Sequence, residues 1–229
     1  MYLFYLNYER RSGTLRTSVA IDGPAGSGKS TIARLLAEKF NLLYINTGSM
    51  YRAITLKCLQ HNITPQNIAE VCNLVSKLEM HFDEDKLIVD GEDISEEIRT
   101  PYISDQVSDF AAIPQVREIM VRDQRQMSNK YNVIMDGRDI GTVVLKESLN
   151  KFYLTATPET RARRRYEEFI EKGIEVEYTT ILSDIIKRDH KDTHRKADPL
   201  TKAPDAIVID TSDLSIEAVV AKISQYIKQ

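Results

Sequence analysis

Gly23-Pro24-Ala25-Gly26-Ser27-Gly28-Lys29-Ser30 reads G-x-x-x-x-G-K-S, and Thr31 follows it. Glycines let successive backbone N–H groups turn inward and approach anionic oxygens closely. A helix opening near Lys29 points its positive end at the same spot. Lys29 can reach the β- and γ-phosphates of a nucleoside triphosphate, and the Ser30 hydroxyl can hold Mg2+. The segment Gly23–Thr31 is therefore a triphosphate cradle, provided that a strand leads into it and a helix leaves it.

The cradle alone does not say what becomes of the nucleotide. A guanine-nucleotide switch needs N-K-x-D. Asn129-Lys130-Tyr131-Asn132 comes close but ends in an amide, which lacks the carboxylate that would accept from guanine, and it precedes a strand instead of ending one. A small-metabolite kinase that phosphorylates a hydroxyl benefits from a carboxylate base. A phosphate acceptor does not, because its second pKa of about 6 delivers it already ionised. Such a site must instead bring a triphosphate and a monophosphate together, so it needs several converging cations.

The arginines meet that need. Arg52 ends Thr47-Gly48-Ser49-Met50-Tyr51-Arg52, just after one apolar run, and Arg138 lies in Asp136-Gly137-Arg138-Asp139, just after another. In open parallel sheets ligands bind at the C-terminal strand ends, so both fall on the edge that carries the cradle. A guanidinium can grip phosphate through a bidentate fork. Arg161, Arg163, Arg164 and Arg165 cluster at a helix start, where they oppose the helix dipole. They read equally well as a cationic lid over ATP phosphates and as a solvated face paired with Glu159, Glu167 and Glu168. His190 and His194 are spaced i, i+4 but lack the glutamate of a helical zinc motif, and read as loop residues.

These residues require a scaffold, which the apolar pattern supplies. Ser18–Asp22 reads as a buried strand into the cradle and Lys29–Phe40 as an amphipathic helix. Residues 42–45, 133–135, 152–154 and 206–209 read as further strands. Helices are expected over 47–59, with Thr47 as a cap, and over 65–77, 105–130 with a break near Pro114, 159–172, 176–191 and 216–227. Residues 78–82 and 87–89 flank Asp83-Glu84-Asp85-Lys86 as a hairpin. It breaks the alternation, so about 66–100 reads as an insertion near the acceptor. Five apolar strands alternating with helices imply an α/β fold with a parallel sheet covered on both faces.

The 229 residues suit one such domain. A net charge of −3 gives no overall attraction for nucleic acid or an anionic membrane surface. Cys58 and Cys72 suggest no disulfide framework, fit a reducing cytoplasm and read as packing residues. No apolar run is long enough to span a bilayer. Met1–Thr17 is aromatic-rich with its charges after the apolar stretch, unlike a secretory leader. It reads as a flexible extension ahead of a kinase domain over 18–229.

In order along the chain, IDGPAGSGKST, NTGSMYR, GEDISEEIRT, SDFAAIPQVRE, DGRDIGTVV, RDHKDTHRKADPL and DTSDLSIEAVV resemble the bacterial cytidylate kinase family over about 18–227. The resemblance implies a P-loop nucleoside monophosphate kinase fold with a nucleotide-binding insertion and a short lid at about 157–172. It implies phosphorylation of CMP and dCMP by ATP with Mg2+, by a monomer whose partners are small-molecule nucleotides. By the same resemblance Gly23–Thr31 and Arg163 would bind ATP. Ser108, Arg117 and Asp139 would read the cytosine edge, and Arg188 and Asp192 would hold the ribose. Arg52, Arg138 and Arg195 would grip the acceptor phosphate, with Thr47 beside them, and Lys29, Arg138 and Arg195 would serve catalysis. Two positions depart from the family pattern: Asn46 stands where Asp is usual, and Thr193 where Ser is usual.

Overall fold

Ser18–Asp22, an unbroken apolar run closed by an acid, is β1 and the middle strand of the molecule. The computed structural model describes residues 16–228. The expected extension Met1–Thr17 therefore lies outside the described residues except for Arg16 and Thr17. Thr17 continues β1: its carbonyl accepts from Val133 N–H at 3.0 Å and its N–H donates to Asn132 Oδ1 at 3.0 Å.

After β1 come α1 (Lys29–Phe40), β2 (Leu43–Asn46), α2 (Thr47–Gln60) and α3 (Ile68–Val75). Three short strands follow, β3 (Met80–Asp83), β4 (Lys86–Val89) and β5 (Glu92–Asp93), then α4 (Pro101–Ala111) and α5 (Pro114–Lys130). The chain returns through β6 (Val133–Gly137), β7 (Asn150–Thr155), α6 (Pro158–Glu171), α7 (Tyr178–His194), β8 (Ile207–Asp210) and α8 (Ile216–Ser224).

The main sheet has five strands in the order β2-β6-β1-β7-β8, every neighbouring pair parallel. Side chains alternate across it as a pleat dictates. Val19 and Ile21 pack with Ile32 and Leu36 of α1 and Val219 and Ile223 of α8. Ala20 faces the opposite layer with Met50 and Ile54 of α2 and Val116 and Met120 of α5. Both faces are thus covered, which is why these strands read as continuous apolar runs. The antiparallel β3-β4-β5 sheet adds Phe82, Leu87 and Val89 to the α2–α5 layer, so it shares a core with the helices that border the cleft.

Several expected boundaries shift for local reasons. Asn46, not Thr47, caps α2: its Oδ1 accepts from Ser49 N–H at 2.8 Å. Thr47 is the first helical residue, and its hydroxyl donates to Asp136 O at 2.7 Å. The helical run expected over 105–130 starts earlier, at Pro101, and the break expected near Pro114 is present, between α4 and α5. Ile113 before Pro114 is extended (ψ 116°), because proline excludes the helical region for its predecessor. The helix expected over 65–77 shortens to α3. His190 and His194 are not loop residues; they lie in the last turns of α7 with their rings stacked at 4.0 Å. A single π-helical turn, Ile140–Val144, went unread. The Asp22 carboxylate holds it, accepting from Ile140 N–H at 2.8 Å and Gly141 N–H at 2.7 Å.

Candidate active site

The parallel sheet brings the C-terminal ends of β1, β2 and β6 to one edge, with Asp22 beside Gly137 and Asn46 beside Asp136. The loop after β1 wraps there as the sequence requires. At Gly23 an added Cβ would sit 2.0 Å from Leu154 O, so only glycine lets the chain pass β7. Gly28 opens α1 with φ +85°, a conformation that favours glycine. Ser27 Oγ donates to Pro24 O at 3.0 Å, and Lys29 Nζ donates to the same carbonyl at 2.7 Å. Burial, helped by nearby Arg138, pushes the Lys29 ammonium well below the usual lysine pKa.

Ser30 begins a chain of polar contacts that reaches the middle strands. Its hydroxyl donates to Asp136 Oδ2 at 2.9 Å, and Tyr44 OH donates to Asp136 Oδ1 at 2.9 Å. Asn46 Nδ2 in turn donates to Tyr44 OH at 3.0 Å. The amide at position 46 thus caps a helix through its oxygen and feeds this chain through its nitrogen. A carboxylate could do only the first. Asp136 is a residue that motif reading passed over. The available signal was an apolar strand, Val133–Met135, ending in an acid beside the cradle, the arrangement that positions Mg2+ in P-loop enzymes. Ser30 and Asp136 offer hard oxygen donors of the kind Mg2+ takes.

Beyond the cradle lies a cleft of about 230 Å3. Lys29, Thr47, Arg52, Ser108, Arg117, Arg138, Asp139, Arg188, Asp192 and Arg195 all line it. They come from α1, α2, α4, α5, the β6 end, α7 and the turn after it. Arg163 is not among the lining residues and is exposed on α6; Arg165, two positions on, lines the cleft and rests over the Phe169 ring at 5.0 Å. Arg161 is committed to structure. It donates to Asp189 Oδ2 at 2.6 Å, to Ala25 O at 3.0 Å and to Ala156 O at 3.0 Å, binding α6 to α7 and to the cradle. Arg164 donates to Thr211 Oγ1 at 3.1 Å and to Thr211 O.

Two groups of charges divide the cleft. In the first, Arg138 Nε donates to Asp192 Oδ2 at 2.7 Å, while Arg52 reaches Ser49 Oγ at 3.0 Å. Among the described residues the buried Nε atoms of Arg52 and Arg188 have no hydrogen-bond partner. Burial, with Arg138 close to both, pushes each of these guanidinium groups down to about 10. Cations held that close, with buried N–H groups unspent, have the chemistry that suits an anion. In the second group, buried Arg117 pairs with Asp139, donates from Nε to Asp198 Oδ2 at 2.7 Å and from Nη1 to Ala111 O at 3.2 Å. Burial opposes the Arg117 charge, but Tyr51, Asp139 and Asp198 more than offset it and raise its pKa. Asp139 Oδ1 also accepts from Arg195 at 3.3 Å.

Among the described residues no helix is long and apolar enough to cross a membrane. The fold resembles the crystal structure of shikimate kinase from Bacteroides thetaiotaomicron, with a TM-score of 0.50 at 15% identity, covering 92% of this chain and 98% of that one. The sequence is 56% identical over 215 residues to a cytidylate kinase of Clostridium acetobutylicum, covering 94% of this chain and 99% of the relative. It is 58% identical over 212 residues to one from Clostridium perfringens strain SM101, covering 93% and 98%. The cytidylate kinase family profile matches residues 19–229. With the cradle, the sheet order and this match over nearly its whole length, the chain belongs to the cytidylate kinase family, which makes it a nucleoside monophosphate kinase.

Proposed function

We propose that this enzyme transfers the γ-phosphoryl group of ATP to CMP and dCMP, giving CDP and dCDP. The observation that carries the reading is the convergence of Arg52, Arg138, Arg188 and Arg195 on one cleft, where among the described residues the buried Nε atoms of Arg52 and Arg188 have no hydrogen-bond partner. A cationic cluster of this density suits a phosphate acceptor, which arrives ionised and needs no carboxylate base. The donor occupies the Gly23–Thr31 cradle, with Lys29 moving from Pro24 O to the β/γ-phosphates. Ser30, with Asp136 behind it, would hold Mg2+, which would supply neutralisation of phosphate charge.

On the acceptor side, Arg52, Arg138 and Arg195 grip the phosphate, with the Thr47 hydroxyl nearby, and Arg188 with Asp192 takes the ribose. The base is read by Ser108, Arg117 and Asp139. Cytosine presents an exocyclic amino donor beside two acceptors, and uracil reverses the first two of those roles. A carboxylate beside a guanidinium matches the cytosine order, and a mismatch strands buried polar groups. The segment of about 157–172, which holds α6, acts as the short lid, with Arg165 lining the cleft and the exposed Arg163 available to ATP. Its closure excludes water and so limits futile hydrolysis. The enzyme works as a cytoplasmic monomer.

An ADP-release assay with Mg-ATP and a panel of CMP, dCMP, UMP, AMP and dTMP tests this. CMP and dCMP should be turned over far faster than the rest. Strong activity with only a non-cytidine acceptor would overturn the base assignment.

A further inference from the structure

Asp198, within RDHKDTHRKADPL, has no assigned role of its own, yet it touches Arg117, proposed to read the base, and Arg195, proposed to grip the acceptor phosphate. Its carboxylate receives Arg117 Nε at 2.7 Å, and its backbone carbonyl receives Arg195 Nε at 2.8 Å and Arg195 Nη2. Asp139 bridges the same two arginines from the other side. The result is a closed ring: Asp198 carboxylate, Arg117, Asp139, Arg195, Asp198 carbonyl. The backbone at Asp198 is left-handed, with φ +45°, a conformation in which Asp, Asn and Gly are the tolerated residues. That turn lets one residue present its carboxylate to Arg117 and its carbonyl to Arg195. Leu200 N–H, donating to Asp192 O at 2.8 Å, fastens the turn to α7.

The ring poses an energetic question that Asp198 answers. Arg117 is 2% exposed. If Asp139 turns an oxygen to a cytosine amino group, Arg117 gives up part of its pairing, and a buried guanidinium without a carboxylate is strongly destabilising. Asp198 remains on Nε throughout. Its side chain is 32% exposed, so it keeps water on one side while it neutralises Arg117 on the other.

Resting on the cytidylate reading above, we infer that Asp198 is a positioning residue for base recognition: it holds Arg117 charged and oriented so that Asp139 is free to engage the acceptor base, and through its carbonyl it ties that recognition to Arg195 at the acceptor phosphate. It touches no substrate itself.

Asp198→Gly removes the carboxylate while keeping the left-handed turn and the carbonyl. Steady-state kinetics should show KM for CMP rising at least about tenfold, the loss expected for one hydrogen bond between charged groups. The preference for CMP over UMP should fall by a similar factor, with KM for ATP unchanged. Asp198→Asn keeps an acceptor for Arg117 Nε without its charge and should show a smaller loss in the same direction. Unchanged CMP affinity and base preference in Asp198→Gly, or in Asp198→Asn should the glycine variant not fold, would overturn the proposal. So would equal weakening toward ATP and CMP with a matching drop in Tm, the mark of a merely structural role. The wild-type enzyme is measured first: no preference for CMP over UMP there would overturn the base reading itself, and this inference with it.

Discussion

From Gly23 to Ser30 the cleft is made of backbone; from Arg52 to Arg195 it is made of side chains. The donor half is one contiguous loop between β1 and α1, shaped by glycines; Ser27 and Lys29 both bond Pro24 O within it, while Ser30 to Asp136 and Arg161 to Ala25 O tie it to its neighbours. The acceptor half is gathered from α2, α4, α5, β6 and α7 and held by ion pairs across long stretches of chain, such as Arg117–Asp139 and Arg138–Asp192. On the proposed reading the first binds any triphosphate, since backbone N–H groups see only phosphate, and the second carries the selectivity, because charge and hydrogen-bond order vary with its residues.

The sharpest break of this contrast is Lys29→Ala. Turnover should fall about 10^2- to 10^3-fold or more, the scale for removing one preorganised charge at a transition state, while circular dichroism remains that of the wild type. Near-normal turnover would contradict the donor assignment. In the acceptor half, Arg138→Ala should lower both activity and stability, because it leaves Asp192 buried at 8% side-chain exposure without its partner. We expect kcat/KM for CMP to fall about 100-fold, together with a lower Tm. A large Tm loss with intact kinetics would make the pair purely structural.

That difference in construction also explains what could be read in advance. A local cradle leaves a contiguous signature, so β1, α1 and the loop between them were legible to the residue. The parallel sheet was legible too, since strands buried on both faces read as apolar runs. The acceptor half left only fragments. Arg52 and Arg138 could be placed at strand ends, but nothing in spacing alone joins Arg117 to Asp198, 81 positions away. The π-helical turn over 140–144 and the inward arginine of α6 were missed because each depends on a tertiary partner, Asp22 and the cleft itself; Asn46 as a cap was missed although its contact with Ser49 N–H is local, because Thr47 beside it is an equally suitable capping residue type. Arg161 shows the same limit, since its role was set by Asp189 of another helix.

Asp139→Ala sharpens the comparison on the side of selectivity. It should lower the ratio of kcat/KM for CMP over UMP at least about tenfold, with KM for ATP unaltered. An unchanged ratio would show that the base is read elsewhere. The smallest effect lies where the halves join, at Asp22. Burial raises its carboxyl from the ordinary 3.8 to about 6. The folded state then holds the proton more tightly than the unfolded chain, so ionisation costs stability as pH rises from about 4 to about 6. Denaturant unfolding of wild type and Asp22→Asn across that window should show the wild type losing ground with rising pH. A constant or widening wild-type advantage would contradict it.

The most direct measurement follows the phosphoryl group itself. With ATP labelled at the γ-phosphate, Mg2+ and CMP, the label should appear as the β-phosphate of CDP, and omission of CMP should leave it on ATP. Label released as inorganic phosphate at the same rate with and without CMP would contradict the two-substrate cleft described here.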